Sequence, residues 1–303
     1  MAKTNPTSTT PSAYIAWAGT DSQHTLNVQQ IGASSQLADT ENYSNNGPAL
    51  AFFKGHLYLA WTGSDNQLNV MSLPSATATS WENATKLNQY SNFGPALVAY
   101  ADVLCLVWIG TDDKHKLNLL FSKDGTDWTG HIKSEGLAVA SNLAPASAVG
   151  AFGIQAIAWV SAGLTNNVKV LHGIECSAGI DHAKSLDAIS KFGPALTFFQ
   201  NNLYLVWTAA NNNLVQMSFN EATKWSLPTP INQPGVTPAQ AINANNGPAL
   251  AASDTTMYLA WADQNSGQLY TMTQAATGGW TSKTALGPHN STLAPALAVG
   301  SFS

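Results

Sequence analysis

Arginine is absent from this chain: all twelve basic side chains among its 303 residues are lysine. Arginine is the planar fork that grips carboxylates and phosphates through paired hydrogen bonds. Without it, and with a net charge of −5, nucleic acid is not expected as a partner, and acidic substrates are disfavoured for the same reason. Cysteine is nearly as scarce. Cys105 falls inside an apolar strand pattern and Cys176 in a connecting region, so no disulfide framework is implied. No apolar run approaches the roughly 20 residues that a bilayer-spanning helix needs. Residues 1–11 are polar and are read as a disordered tail. They lack the apolar core of a signal peptide, which makes a cytoplasmic or non-classically exported protein the expectation. The chain also lacks a nucleophile elbow, a phosphate loop and a zinc-protease motif, and no cofactor is expected.

What the chain does have is a repeat. Proline recurs six times in one setting: Gly47-Pro48-Ala49-Leu50, Gly94-Pro95-Ala96-Leu97, Ala144-Pro145-Ala146-Ser147, Gly193-Pro194-Ala195-Leu196, Gly247-Pro248-Ala249-Leu250 and Ala294-Pro295-Ala296-Leu297. Each of the first five leads through a short polar turn into an apolar run ending in tryptophan (Trp61, Trp108, Trp159, Trp207, Trp261). A sixth such run, ending at Trp17, opens the chain without a proline motif, and a sixth proline motif closes it without a tryptophan. The two orphans are halves of one repeat. Six copies at a spacing of about 45–55 residues fit four-stranded propeller blades.

The strands of one copy can be read directly. Ala49–Phe53 is expected as strand A, Leu57–Trp61 as strand B and Leu68–Met71 as strand C, with a short strand D near Lys86-Leu87. A and B are apolar nearly throughout, as expected of strands covered on both faces. The proline opens strand A, where a missing N–H breaks no ladder bond. Ring closure would pair the C-terminal strand with the N-terminal repeat. The motifs run Gly, Gly, Ala and then Gly, Gly, Ala again, so the ring reads as a duplicated three-blade unit. The fold class is therefore all-β: a single six-bladed β-propeller domain over residues 12–303.

The closed six-fold repeat resembles the six-bladed propellers of sialidases and of the fungal fucose-binding lectins. Ser122-Lys123-Asp124-Gly125-Thr126-Asp127-Trp128 is similar to the sialidase Asp-box, though one residue shorter; in that family the box is a structural C–D turn remote from catalysis. Sialidases hold the substrate carboxylate with an arginine triad, and the fucose lectins place an arginine in each sugar pocket. This chain supplies neither, so sialidase activity is excluded. The remaining likeness is to tandem-repeat propeller lectins, and it covers almost the whole chain.

Candidate chemistry lies where repeated polar residues meet on one face, because D–A and B–C connections emerge on the same side of a propeller. Asn45, Asn92, Asn142 and Asn245 precede the prolines, and Asp21, Asp65 and Asp112 stand in B–C turns. The strand-B tryptophans Trp17, Trp61, Trp108, Trp159, Trp207 and Trp261 would lie just beneath those turns. Amides and carboxylates can hydrogen-bond sugar hydroxyls, and an aromatic ring can stack on a pyranose face. The same residues are equally the usual turn formers and core fillers. Three B–C turns have lost the Asp: those at 161–164, 209–211 and 262–265. His24 and His115 follow Asp21 and Asp112 at matching distances, where an Asp could orient a His as a base. His172, Glu175, Cys176, Asp181 and His182 are ligand types for zinc, but their spacing matches no closed motif. The expected function is a lectin for neutral glycans with repeated weak sites on the loop face. A protein-interaction scaffold, or an enzyme acting on a neutral substrate at the central axis, stands as the alternative.

Overall fold

The computed structural model describes residues 10–133, 140–150, 153–163, 165–175, 184–237 and 239–303, and these form six antiparallel blades around one axis. Blade 2 runs through strands A (Ala49–Phe53), B (His56–Thr62), C (Gln67–Leu73) and D (Glu82–Tyr90). Its A–B hairpin turns on Lys54 and Gly55, both at positive φ (48° and 74°), the pair of left-handed residues that a two-residue hairpin loop requires. Blade 3 comprises Ala96–Tyr100, Val103–Ile109, Leu117–Ser122 and Trp128–Lys133; blade 4 comprises Ala146–Val149, Ile154–Val160, Asn167–Glu175 and Lys184–Ile189. Blade 5 comprises Ala195–Phe199, Asn202–Thr208, Leu214–Asn220 and an outer strand split into Lys224–Trp225 and Thr229–Pro230; blade 6 comprises Ala249–Ala252, Thr256–Ala262, Gln268–Ala275 and Thr284–Asn290. No α-helix occurs among the described residues, and hence none long and apolar enough to cross a membrane.

Blade 1 is assembled from both ends of the chain. Its strand A is Ala296–Gly300, its B Ser12–Ala18 and its C Leu26–Gln30. The closing pair runs from Ser12 opposite Gly300 to Ala16 opposite Ala296. Its outer edge is carried by the isolated bridges Thr25–Tyr43 and Gln29–Gln36 rather than by a continuous strand. The Ser291 hydroxyl donates to the Ala18 carbonyl at 2.8 Å, and Tyr14, Phe52 and Phe302 meet edge to face with centroids 5.2–5.7 Å apart. Those rings tie strand B of blade 1, strand A of blade 2 and the C-terminal residues into one seam.

The core lies between blades. Each of six apolar clusters joins two neighbours, and in each the strand-B tryptophan of one blade packs against the blade before it: Trp17 on blade 6, Trp61 on blade 1, Trp108 on blade 2, Trp159 on blade 3, Trp207 on blade 4 and Trp261 on blade 5. Strand B has side chains on both faces, so it feeds two such clusters, which explains its unbroken apolar sequence.

At the axis the strands A approach until backbone meets backbone. A Cβ on Gly94 would lie 2.3 Å from the Gly47 carbonyl oxygen, and one on Gly247 2.5 Å from that of Gly193. A Cβ on Gly47 or Gly193 would lie 2.6 Å from the carbonyl of Ala294 or Ala144 respectively. Glycine is needed here for space rather than for its dihedral freedom. The contacts repeat with a twofold pattern, Gly47 with Gly193 and Gly94 with Gly247, as the duplicated motif order implied.

Candidate ligand sites on the loop face

The B–C turns and the segments before the prolines share one face because hydrogen bonds tie them together. One residue of each turn adopts positive φ: His24, Asn66, His115, Asn166, Asn212 and Gly267, at 45–69°. The carbonyl of each accepts the N–H of the residue that begins the pre-proline segment, namely Ser44, Ser91, Ser141, Ser190, Ala244 and Ser291, at 2.9–3.2 Å. His24 and His115 are therefore the left-handed corner residues of their turns. The Asp–His pairing that would make a base does not form. His24 Nδ1 meets the Gly19 carbonyl at 3.0 Å, and His115 Nδ1 meets Asn142 Oδ1.

The aspartates turn inward to their own loops. Asp21 accepts the N–H groups of Gln23 and Thr25 and the Thr25 hydroxyl at 3.0–3.2 Å. Asp65 accepts from Gln67 N–H at 3.0 Å and Asp112 from Lys114 N–H at 2.9 Å. The Gln67 amide, followed by Lys86 at 3.3 Å, holds the Asp65 carboxyl below its usual range. For Asp21, slight burial pushes upward but the donors outweigh it, and the net direction is down. Asn211 and Asp263 make the same bond to the N–H two residues on, both at 3.1 Å. Two of the three turns read as having lost their Asp thus keep its function: in one the Asn211 amide oxygen caps the turn as a carboxylate does, and the other still holds an aspartate, Asp263, one residue into the turn.

The six strand-B tryptophans are only 0–4% exposed. A pyranose cannot stack on a ring closed over by the neighbouring blade, so their placement is one of packing and not of ligand contact. Ser44, Ser91, Ser141, Ser190 and Ser291 are equally buried, at 0–2%, and their hydroxyls cap the pre-proline loops. The next position is the one that faces solvent. Asn45, Asn92 and Asn142 are exposed there; Asn245 is half-buried and donates to the Ser291 carbonyl at 3.3 Å.

Two residues of this face were missed by the sequence reading. Tyr43 and Tyr90 are 45% and 44% exposed. They occupy one repeat position, paired across the sheet with Thr25 and Gln67, the residues that follow the left-handed corners. The same position holds Ala140, Ile189, Asn243 and Asn290 in the other blades. The signal was present in the sequence: Tyr-Ser-Asn occurs at 43–45 and again at 90–92.

Elsewhere the chemistry is sparse. The axial cavity, about 270 Å³, is lined by no titratable side chain among the described residues, so it brings no acid–base pair to the axis. Cys176, Asp181 and His182 lie outside the described residues, as do the side chains of His172 and Glu175. No group of three or more His, Cys, Asp or Glu able to hold a metal occurs among the described residues. The segment Ser122–Trp128 is a tight C–D turn. Asp124 Oδ1 accepts the N–H groups of Thr126 and Asp127 at 2.8 Å each, and the amides of Asp127 and then Thr126 bring its pKa down to about 2.

No protein-family model matches the chain, and no curated protein matches it either. Solved structures do. A fungal lectin from Aleuria aurantia, a six-bladed β-propeller with a fucose recognition mode, superposes with a TM-score of 0.63 at 12% identity, covering 93% of this chain and 96% of that one. The lectin SapL1, solved with α-methyl fucoside, gives 0.57 at 12% identity over 81% of each chain. A thermostable family-43 glycoside hydrolase gives 0.53 at 14% identity, covering 80% of this chain and 93% of that one. What is shared at these identities is the fold.

Proposed function

We propose that the protein is a glycan-binding propeller that recognises neutral sugars on its loop face, at Tyr43 with Asn45 and at Tyr90 with Asn92. The carrying observation is the pair of exposed tyrosine rings at one repeat position, each followed two residues on by an exposed carboxamide. A half-exposed ring offers an apolar surface for a pyranose, and an amide offers both a donor and an acceptor for its hydroxyls. The absence of arginine directs the choice to uncharged sugars. Similarity of fold to lectin propellers supports this reading, although the fold also carries hydrolases. Single sites of this kind bind at about millimolar Kd, near 4 kcal/mol, and two on one rigid ring gain from a multivalent surface.

A glycan array probed with densely labelled protein tests the reading. Binding to one class of neutral glycans is expected, with Tyr43→Ala and Tyr90→Ala each weakening it and the double variant abolishing it in a folded protein. A blank array, or unchanged binding by the folded double variant, refutes it.

A further inference from the structure

The axial cavity opens through a ring of six half-buried side chains, one from each blade in the residue just before the Gly-Pro or Ala-Pro step. In order from blade 1 to blade 6 these are Leu293, Asn46, Phe93, Leu143, Phe192 and Asn246. One residue further on, the ring keeps its twofold pattern of Gly, Gly, Ala. At the mouth the pattern breaks: Asn46 stands where the twofold would place Phe192, and Phe93 where it would place Asn246. The result is a divided rim. Phe93, Leu143 and Phe192 form an apolar arc on three consecutive blades, and Asn246, Leu293 and Asn46 face them with two carboxamides.

The rim is held in place by the backbone. Carbonyls of Phe93 and Asn246 accept the hydroxyls of Thr62 and Thr208 at 2.7 Å. Those of Leu143, Phe192 and Leu293 accept serine hydroxyls at 2.7–3.1 Å. Asn246 uses its side-chain oxygen on Gly247 N–H and one N–H on the Thr292 carbonyl, leaving its second N–H. The Asn46 carboxamide has no hydrogen-bond partner among the described residues.

We infer that this mouth is a binding site for an N-acetyl (acetamido) group, separate from the loop-face tyrosines. With no titratable lining, a charged ligand would enter unpaired, which is costly. A purely apolar one would strip water from the carboxamides without replacing it. A secondary amide answers both arcs. Its N–H and C=O match the acceptor and donors of Asn46 and the remaining N–H of Asn246, and its methyl group meets Phe93, Leu143 and Phe192. A volume of about 270 Å³ admits such a group and leaves a sugar or peptide that carries it outside the rim.

The test is an NMR titration of the backbone amides of Asn46, Phe93, Phe192 and Asn246, using N-acetylglucosamine, glucose and N-methylacetamide at millimolar concentration. N-acetylglucosamine is expected to shift these amides and glucose to leave them unmoved. Asn46→Leu should weaken the response at least fivefold, and Tyr43→Ala with Tyr90→Ala should not change it. Leucine already occupies this repeat position at Leu143 and Leu293, so the fold accepts that substitution. Phe93→Asn, a residue the same position holds in blades 2 and 6, gives a second variant with the same expected loss. A response to N-methylacetamide as well assigns the site to N-acyl groups at large; a response to N-acetylglucosamine alone assigns it to acetamido sugars. The proposal is overturned by unmoved rim amides, by an equal response to glucose, or by full binding in Asn46→Leu. Shifts confined to Tyr43 and Tyr90 overturn it while leaving the loop-face reading intact, and shifts confined to the rim support it whatever the glycan array shows for the loop face.

Discussion

The inner and outer edges of the blades obey different constraints. At the inner edge, strands A meet backbone to backbone, and every blade repeats the same step within the space a glycine or alanine allows. At the outer edge, blade 2 carries a nine-residue strand, blade 5 two short pieces and blade 1 only bridges. The tryptophans follow the same gradient. Those of strand B are 0–4% exposed, whereas Trp81, Trp128, Trp225 and Trp280, near or on strand D, are half-buried. Trp81 and Trp280 still reach the preceding blade, donating to the Ala38 carbonyl and to Gln216 Oε1 at 2.9 Å each. Repetition is strict where six strands A must share one axis and looser where the outer strands meet solvent.

The sharpest way to break that comparison is to truncate one tryptophan at each edge. Trp159→Ala is expected to cost about 3–5 kcal/mol of stability, the range for emptying a fully buried aromatic site. Trp81→Ala should cost less than half as much, and equal losses in urea unfolding would erase the gradient. Smaller is the effect of adding one methyl group. Gly94→Ala pushes a Cβ against the Gly47 carbonyl and should destabilise by about 1–3 kcal/mol. Gly279→Ala, in an outer turn with nothing within 4 Å, should be neutral or slightly stabilising in the same urea unfolding.

Closure can be tested at a similar scale. Ser291→Ala leaves the buried Ala18 carbonyl without its hydroxyl donor and should cost about 1–3 kcal/mol. An unchanged melting temperature would show that strand pairing alone holds the seam. The smallest effect is local and pH-dependent. The Asp124 pKa is depressed to about 2 from its ordinary 3.8, so the turn's support is present above about pH 4 and is lost as pH falls through 2. NMR should show the amides of Thr126 and Asp127 moving in that window, and Asp124→Asn should abolish the titration.

Much of this was written plainly in the sequence. The proline steps located every strand A, the split repeat predicted the pairing of Ser12–Ala18 with Ala296–Gly300, and the motif order predicted the twofold contacts. The candidate site was harder to read, for physical reasons. Trp61 ends an apolar run beneath a polar turn, and composition does not say whether the next blade closes over it. Asp65 can face solvent or its own backbone with no change in the sequence. Tyr43 and Tyr90 gain their exposure from a register opposite Thr25 and Gln67, which a single blade's sequence does not specify. Strand D resisted for a related cause: its exposed face lacks the apolar periodicity that marks buried strands, so Glu82–Tyr90 runs well beyond the short segment expected around Lys86.

The closing pair of blade 1 also sets a schedule. Ser12–Ala18 leaves the ribosome well before its partner Ala296–Gly300, with the other five blades made in between. At about 5–20 residues per second, the first strand waits roughly 15–60 s with its inner edge unpaired. Throughout that interval it is an open template for any other nascent copy of the chain. An unfinished ring is therefore open to association with its own kind, and the yield of folded protein should fall as its synthesis becomes more crowded.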